Sequence, residues 1–475
     1  MNSLPPELIQ SLRNIESFNE ETFKAVHESG AQITSVRLNP DKIFPSDQLI
    51  RAGNIQSSIF NVQQEKIPWS SNGYYLPERP SFTLDPLFHA GAYYVQEASS
   101  MFLEEALKQT VDLAKPLKVL DLCAAPGGKS TLIQSVISAA SLLVSNEVIK
   151  TRVHILAENI TKWGVANVIV TNNDPSDFQR LPGYFDVIVV DAPCSGSGLF
   201  RKDPAAIGEW SENNVLHCAQ RQQRILEHIM PALKDGGILI YSTCSYSKEE
   251  DEAIVDWMVE QLAVNSLQLA VHDDWGIVET VSEKEKAYGY RFYPDKVKGE
   301  GFFIAAFKKA ASGNGINNET IPARAGQRSK KKTAVFTAKE IEILKSYIIH
   351  ADDFFFIKQN EEVIAMPLHL ENELPVIQSA LYLKKAGVKL GTLIRNELIP
   401  DHELAVSNII NDSIPRLDIE KETALQYLRR EEIKTIPGKK GWILLTHMQL
   451  PIGWIKVITN RINNYYPASW RILNK

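Results

Sequence analysis

The 475-residue chain is poor in cysteine, and its cysteines lack the spacing of a structural cross-link or metal site. It has four of them, Cys123, Cys194, Cys218 and Cys244, with no C-x-x-C pair and no paired histidines nearby. A disulfide framework and a zinc site are therefore not expected, and we predict that no metal is bound.

Long apolar segments are missing as well. No run of about 18 apolar residues occurs, so no membrane span is expected. The opening residues, MNSLPPELIQ, show no basic stretch followed by an apolar one, so we predict a cytoplasmic protein without a secretion signal. A hydrophobic share of 44% and a charged share of 23% are typical of a folded chain. At roughly 150 residues per domain, the length favours about three domains.

The chain has no excess of positive charge. Lys and Arg number 51 against 57 Asp and Glu, giving a net charge of -6. This excludes a protein that is basic all over. Surface charges are screened beyond about 10 Å, however, so a local basic face can still bind nucleic acid.

Short apolar runs alternate with helical stretches between residues 111 and 309. The runs are continuous in their apolarity, a pattern typical of parallel strands covered by helices on both faces. We therefore predict an α/β core over 111–309, with ligands bound beyond the carboxyl ends of its strands. The runs are Lys118–Leu122, Leu142–Asn146, Asn167–Thr171, Asp186–Asp191, Gly237–Ser242 and Phe302–Phe307.

The remainder divides by composition. Residues 1–110 form an N-terminal extension whose sequence says little by itself. Residues 310–333 are small, polar and basic, as in a linker, and their KKK cluster either contacts a polyanion or is simply solvated. Residues 334–390 are mixed. Residues 391–475 contain spaced β-rich runs that predict a small β-rich module.

The stretch DLCAAPGGKST, residues 121–131, resembles a phosphate-binding loop but places Cys123 where that motif requires glycine. Glu147 follows the next strand, where an acid commonly binds ribose hydroxyls, so an adenosyl ligand is favoured over a clamped phosphate. The alternatives are that Glu147 is simply a solvated acid and that the glycine turn at Gly127 and Gly128 binds no ligand. A P-loop ATPase, with Asp191 as its magnesium-holding acid, stays a rival interpretation.

Two cysteines follow predicted strands. Cys194 closes DAPC and Cys244 closes STC, so a parallel sheet would bring both thiols to one edge, close to Asp191. Ser247–Glu250 has the pattern of a capping box, which predicts a helix whose positive end activates Cys244. The alternative for each cysteine alone is a small buried hydrophobe, and for Cys218 we expect only that.

A thiolate, a nearby carboxyl group and an adenosyl cofactor suit one reaction in particular. Addition of a thiolate to carbon 6 of a pyrimidine makes carbon 5 nucleophilic enough to accept a methyl group. Lowering a thiol pKa from about 8.5 to about 7 increases the fraction of thiolate at neutral pH about fifteenfold, which corresponds to about 1.6 kcal/mol. Enzymes lower barriers by about 8 kcal/mol or more, so Asp191 is expected to activate the base as well.

The segments DLCAAPGGKST, DAPCSGSGLFRKDP and YSTCSYSKEEDEAI together resemble the RNA cytosine-C5 methyltransferase family. The resemblance extends through VRLNP, HAGAYYVQEASSM and YRFYPDKVKGEGFFIAAFKK. The tail, with KKAGVKLG, QYLRREEI and PIGWIKVITNRINNYYP, is similar to that of the family's bacterial small-subunit ribosomal RNA enzymes. This implies a Rossmann-like S-adenosylmethionine-dependent methyltransferase sheet, with an N-terminal α/β extension and a C-terminal PUA-like RNA-binding module.

The resemblance also implies roles for individual residues. Cys244 would be the nucleophile, Cys194 would assist product release, and Asp191 would sit between cofactor and target base. Glu147 would bind the ribose and Asp174 the adenine amino group. Lys129 would belong to both the catalytic and the cofactor-binding sets. The cofactor loop would comprise Cys123, Ala124, Ala125, Pro126, Gly127, Gly128 and Lys129.

The last 43 residues combine seven Lys or Arg, no acid and three of the chain's eight tryptophans, Trp442, Trp454 and Trp470. Such a composition suits folded RNA, although the tryptophans can equally fill the module's own core. The RNA contacts we expect are Arg201, Lys202, Lys456 and Arg461. The implied partner is ribosomal RNA of the small subunit, with cytosine 1407 as the family's target, and the protein is expected to be a monomer. A non-catalytic RNA-binding factor stays the second rival.

Overall fold

The computed structural model describes residues 4–15, 17–42, 65–311, 336–433, 440–459 and 461–473. Most of the predicted linker, with its lysine cluster, lies outside these ranges. In the described part of the chain, no helix combines the length and apolarity needed to cross a bilayer. The same part contains no group of three or more His, Cys, Asp or Glu placed to hold a metal ion.

The N-terminal region forms a small antiparallel sheet flanked by helices. β1 is central, and β2 and β3 pair on its two sides. Asn19 caps α2 by accepting a hydrogen bond from the amide of Thr22. The elements are α1 (Pro6–Leu12), α2 (Glu20–Glu28), β1 (Thr34–Leu38), β2 (Gly73–Leu76), α3 (Pro86–His89) and β3 (Tyr93–Val95).

The core is one large sheet with helices on both faces. Its elements are α4 (Leu103–Thr110), β4 (Lys118–Asp121), α5 (Gly128–Val136), β5 (Leu142–Asn146), α6 (Lys150–Trp163), β6 (Val168–Thr171), β7 (Phe185–Asp191), α7 (Glu212–Ile229), β8 (Leu233–Thr243), α8 (Glu252–Gln261), β9 (Val264–Leu267), β10 (Val278–Val281), β11 (Tyr288–Phe292) and β12 (Phe302–Lys309). All six predicted runs are strands.

The sheet is only partly parallel. β6, β5, β4, β7 and β8 lie side by side and parallel, as predicted. β12 is antiparallel to β8, so the expectation of a parallel strand at Phe302–Phe307 is wrong. The run is apolar because both its faces are covered, and burial of this kind does not reveal strand direction. β10 and β11 extend the same edge antiparallel to one another.

The C-terminal region contributes two further sheets and one strand of the core sheet. Its elements are α9 (Ala338–Tyr347), β13 (Phe354–Gln359), β14 (Glu362–Pro367), α10 (Glu373–Ala380), β15 (Leu383–Ala386), β16 (Val388–Ile394), β17 (Glu397–Pro400), α11 (His402–Ala405), β18 (Arg416–Asp418), α12 (Lys421–Leu428), β19 (Gly441–His447), β20 (Leu450–Ile458) and β21 (Arg461–Asn464). β13, β14, β16 and β17 form one sheet, and β18–β21 form the other.

The boundary expected at residue 390 needs correction, because it falls inside β16. That strand pairs with β14 on one side and β17 on the other, so both halves of it belong to one sheet. β15 leaves this region and pairs antiparallel with β6 of the core. Its apolar side chains pack on the core cluster, which explains why a strand from beyond the linker joins the core sheet.

The two ends of the chain share one hydrophobic cluster. Val36 and Tyr93 of the N-terminal sheet pack with Tyr427 and Ile452 of the C-terminal region. The ammonium group of Lys42 is buried at the same junction, and it donates to the carbonyls of Ala90, Lys162 and Val406. The N-terminal extension is therefore held by contacts to both the core and the C-terminal region.

Candidate active site at the carboxyl ends of the strands

Two thiols meet at the carboxyl edge of the sheet. β7 and β8 are parallel, and Asp191 of one lies beside Ser242 of the other. The loops that follow bring the Sγ atoms of Cys194 and Cys244 to 2.9 Å from each other. The predicted convergence of the two thiols is thus confirmed. Cys218 lies apart on α7, where its Sγ is 3.9 Å from Asn214 Oδ1.

The environment of Cys194 favours its protonated form. The hydrogen bond with Cys244, together with burial, raises the pKa of Cys194 well above that of a free thiol. A thiol in that environment holds its proton at neutral pH and donates it to a neighbouring acceptor.

The expected capping box after Cys244 is not formed. Ser247 makes no capping hydrogen bond, and α8 begins only at Glu252. The carboxylate of Glu250 is directed instead toward Ser195 and Ser245, in the two cysteine loops. The helix predicted to begin at Ser247 is thus present only as the 3₁₀ turn Lys248–Glu250, without the predicted capping box, because Glu250 binds elsewhere.

Asp191 ends β7 and forms an ion pair with Lys129. Lys129 Nζ lies 2.7 Å from Asp191 Oδ2, and Ser242 Oγ donates to Asp191 Oδ1 at 2.8 Å. Burial alone would lower the pKa of Lys129, but the carboxylates of Asp191 and Asp121 outweigh it and the pKa is raised. Lys129 is therefore held as a cation beside Asp191.

The glycine-rich loop is held from α6 and from the neighbouring strands. Arg152 Nη2 donates to the carbonyl of Ala125 at 2.6 Å, and Asn159 Nδ2 donates to that of Pro126 at 2.8 Å. Gly127 has φ +118°, a backbone conformation that side chains rarely adopt. The half-buried thiol of Cys123 has its pKa raised, chiefly by burial, so it is not an available nucleophile.

Two acids predicted to bind the nucleoside lie on neighbouring strand ends. Glu147 is buried directly after β5, where its Oε1 accepts from the amide of Ile149. Asp174 follows β6 and is exposed, and hydrogen bonds from Ser176 lower its pKa. Asp174 is thus ionised but already serves as a local cap.

Asn146 connects the three strand ends of this region, and the sequence did not single it out. Its Nδ2 donates to the carbonyls of Leu122 and Asn173, and its Oδ1 accepts from Thr171 and Asn173. Arg152, Asn159 and Glu250 were also missed. The local sequence does not reveal the role of any of the four, because each binds at least one partner that lies 24 or more residues away in the chain.

The edge fits an adenosyl ligand. α5 begins at Gly128 with no side chain capping its first amides, which leaves donors for a carboxylate. Asp121, buried at the end of β4, has an Oδ1 atom with no hydrogen-bond partner among the described residues. Burial raises the pKa of Asp121 to about 7. A polar, amine-bearing ligand would satisfy such groups.

The N-terminal extension borders the glycine loop. Arg37 is buried and donates to Thr131 Oγ1 at 2.6 Å, in the first turns of α5. A Cβ atom on Gly128 would meet the ring of Tyr94 at 3.4 Å. β1 and β3 thus brace the loop that the sequence assigns to the cofactor.

The residues predicted to contact RNA differ in how far their side chains are exposed. The Arg201 side chain is 4% exposed, lies 3.7 Å from Glu300 and donates to the carbonyls of Ala31 and Gly299. These internal contacts argue against the predicted contact of Arg201 with RNA. Lys202, the next residue, is exposed.

In the C-terminal module, Lys456 pairs with Glu397 at 2.9 Å and lies over the Trp442 ring, whereas Arg461 is exposed. Trp454 is fully buried and donates to the carbonyl of Asp401, so it belongs to the core.

Comparison with known proteins covers almost the whole chain. A family described as 16S rRNA methyltransferase RsmB/F matches residues 109–308. The N-terminal domain of 16S rRNA methyltransferase RsmF matches residues 4–98, and the methyltransferase RsmF PUA domain matches residues 415–472. Ribosomal RNA small subunit methyltransferase F of Aliivibrio fischeri strain MJ11 is 30% identical over 446 residues, 89% of this chain and 91% of the relative.

The chain belongs to the ribosomal RNA small subunit methyltransferase F family. It is therefore an rRNA methyltransferase with a C-terminal PUA domain. The family's protein from Pectobacterium atrosepticum is 29% identical over 481 residues, 98% of this chain and 95% of the relative. Because the aligned region spans nearly all of both proteins, it includes the N-terminal extension, the core and the C-terminal module of this chain.

Solved structures agree on the fold. A methyltransferase homolog from Pyrococcus horikoshii is 29% identical, with a TM-score of 0.51, over 64% of this chain and all of that one. NSun6 from Pyrococcus horikoshii, solved with SFG, is 19% identical, with a TM-score of 0.52, over 65% of this chain and 99% of that one. Because NSun6 is only 19% identical to this chain, that likeness supports the fold alone.

Proposed function

We propose that this protein uses S-adenosylmethionine to methylate carbon 5 of a cytosine in 16S ribosomal RNA, through a covalent bond between Cys244 and carbon 6 of the base. The single observation that carries the proposal is the 2.9 Å contact between the Cys194 and Cys244 sulfurs. A single buried thiol is ordinary packing. Two thiols in contact, beside the Asp191–Lys129 pair at the carboxyl edge of a methyltransferase sheet, are not explained by packing.

Carbon 5 of cytosine is a weak nucleophile until carbon 6 is attacked. In the proposed first step, the Cys244 thiolate forms a bond to carbon 6, which makes carbon 5 enamine-like. S-adenosylmethionine supplies an electrophilic methyl group for carbon 5. The carbon-5 proton then passes to a water molecule, the electrons of its bond restore the ring double bond, and the Cys244 sulfur leaves as a thiolate.

Asp191 and Lys129 are proposed to stabilise the charge that develops on the ring. A carboxyl group hydrogen-bonds the N3 atom of neutral cytosine only when it carries a proton. That proton would reach Asp191 from solvent, because Lys129, 2.7 Å away, keeps its own. Asp191 would then provide the hydrogen-bond donor and Lys129 a fixed positive charge, in a site where preorganised charge is most effective.

Cys194 is proposed to assist release. Its raised pKa keeps it protonated, so it can protonate or hydrogen-bond the departing Cys244 sulfur across the 2.9 Å gap. Without that proton, the covalent adduct would decay slowly. Attack and release are thereby assigned to different thiols.

The cofactor is proposed to lie along the edge formed by Cys123, Ala124, Ala125, Pro126, Gly127, Gly128 and Lys129. The uncapped amides of α5 suit its carboxylate, and the strand-end acids Glu147 and Asp174 suit its ribose and adenine. Asp191 would then contact both the cofactor and the target base.

For the RNA, exposed Lys202 and Arg461 are proposed to contact phosphates, with a smaller part for the paired Lys456. The target base must leave its helix to reach the thiols, so it is flipped or unpaired when modified. The family resemblance favours cytosine 1407. A monomeric state and a cytoplasmic location stay predictions.

Replacement of the cysteines one at a time tests the assignment. Cys244→Ala should abolish methyl transfer to 16S rRNA from radiolabelled S-adenosylmethionine, while cofactor binding measured by calorimetry survives. Cys194→Ala should accumulate a protein–RNA adduct that resists denaturant in a gel. Cys218→Ala, whose sulfur contacts Asn214 and not the thiol pair, is the matched control and should behave as the unaltered protein. Unchanged turnover in Cys244→Ala would refute the mechanism, whereas the absence of methyl transfer from the unaltered protein would support a factor that only binds RNA.

A further inference from the structure

Glu250 connects the two loops that carry the thiols. Its carboxylate accepts from the amide and hydroxyl of Ser195, at 2.8 and 2.5 Å, and from the hydroxyl of Ser245 at 2.6 Å. Ser195 follows Cys194 directly, and Ser245 follows Cys244. One buried carboxylate therefore holds the neighbours of both sulfurs.

A fourth bond ties the carboxylate to α7. Gln222 Nε2 donates to Glu250 Oε1 and to the carbonyl of Pro193, both at 3.1 Å. Pro193 precedes Cys194, so that loop is held on both sides of its thiol. Tyr241 completes the network by donating to Gln222 Oε1 and to the carbonyl of Glu250.

The sheet alone does not fix the sulfur–sulfur distance. The regular pairing of β7 with β8 ends at Asp191 and Ser242, three and two residues before the cysteines. Beyond it, the backbone bond from the amide of Gly198 to the carbonyl of Cys244 joins the loops at 2.8 Å. That bond restrains one end of the Cys194 loop, and Glu250 restrains the residue next to the thiol.

We propose that Glu250 is a positioning residue that sets the contact between Cys194 and Cys244 by clamping their loops through Ser195 and Ser245. A carboxylate suits this place because it offers several acceptor sites and needs no donor, and the groups facing it are amide, hydroxyl and side-chain amide donors. Its importance for catalysis rests on the function proposed above. The clamp itself is a geometric claim and stands without that function.

The clamp is tested by the rate at which the two thiols form a disulfide. In full-length protein treated with the diazene oxidant diamide, the thiols lose two protons and two electrons as the S–S bond forms, and the diazene becomes a hydrazine. Mass spectrometry of the linked peptides separates the Cys194–Cys244 disulfide from any other. Misplacement by about 1 Å commonly costs on the order of 100-fold in the rate of a positioned reaction, so Glu250→Ala should slow this disulfide by about tenfold or more.

The matched control is Glu249→Gln, because Glu249 is adjacent and exposed, and it should react like the unaltered protein. The Glu250 charge itself disfavours a Cys194 thiolate. Loss of that charge alone would therefore speed disulfide formation. A slower disulfide in Glu250→Ala would mean that the two sulfurs have moved out of position. In methylation assays, kcat should fall in Glu250→Ala while the KM for S-adenosylmethionine stays unchanged, and Glu250→Gln should restore part of kcat.

Disulfide formation at the unaltered rate in folded Glu250→Ala would overturn the clamp. If that variant fails to fold, the double variant Ser195→Ala with Ser245→Ala removes both hydroxyl donors and carries the same test, with an unaltered rate again overturning the proposal. A slowed disulfide in a protein that proves not to methylate RNA would confirm the clamp and refute only the proposed function.

Discussion

His402 gives the protein a calculable sensitivity to acid. It begins α11, is 6% exposed, and meets the rings of Tyr466 and Trp470 edge to face. Burial, reinforced by the charges of Lys162 and Lys42, lowers its pKa to about 3. In the unfolded chain the pKa is about 6.5. As the pH falls below 6.5, the unfolded chain takes up a proton that the folded protein refuses, so stability is lost.

The size of the loss follows from linkage. At pH 7.5 the unfolded chain carries little of this proton, whereas at pH 5 it is almost fully protonated and the folded protein is not. At 1.36 kcal/mol per unit, the difference amounts to about 2 kcal/mol. His402→Phe retains a ring but cannot titrate, so its free energy of unfolding should fall by about 2 kcal/mol less between pH 7.5 and pH 5.

Urea denaturation at the two pH values measures this difference. Both ring nitrogens of His402 lack partners among the described residues, so His402→Phe should also be more stable at pH 7.5, by about 1–3 kcal/mol. His89, whose pKa burial lowers to about 4, leaves some acid sensitivity in the variant. Equal losses in the two proteins would refute the burial of a neutral His402.

Two further substitutions probe the core and the loop. Arg291 is buried against Asp251 and Glu252, with contacts of 3.1 and 2.5 Å. Arg291→Met leaves both carboxylates without their ion-pair partner and should reduce the free energy of unfolding, measured in urea, by about 3–5 kcal/mol. A loss below about 1 kcal/mol would contradict this. Gly127→Ala places a side chain at φ +118°, 3.4 Å from the Cβ atom of Asn159. It should lower stability by about 1–3 kcal/mol and weaken S-adenosylmethionine binding in calorimetry, and unchanged binding would show that the loop tolerates the strain.

The strands of the core follow from the sequence. Continuous apolar runs such as Leu142–Asn146 reflect burial on both faces, and this burial is a property that composition records. The positions of Asp191, Cys194 and Cys244 after such runs predict one shared edge, because parallel strands end on the same side. Strand direction does not follow from such patterns. The run at Phe302–Phe307 is as apolar as the others, and yet its strand is antiparallel, because its direction depends on how the chain returns to the sheet.

Residue types and their spacing along the chain are enough to predict the fold class and the sheet edge at which the two thiols meet. How those thiols are held together depends on contacts that form only in the folded protein. Glu250, 55 residues from Ser195, binds both cysteine loops and not the capping position that its neighbours suggest, and Arg201 turns inward to Glu300. Such contacts join residues distant in the chain, and their free energies depend on burial and distance, which no local pattern encodes.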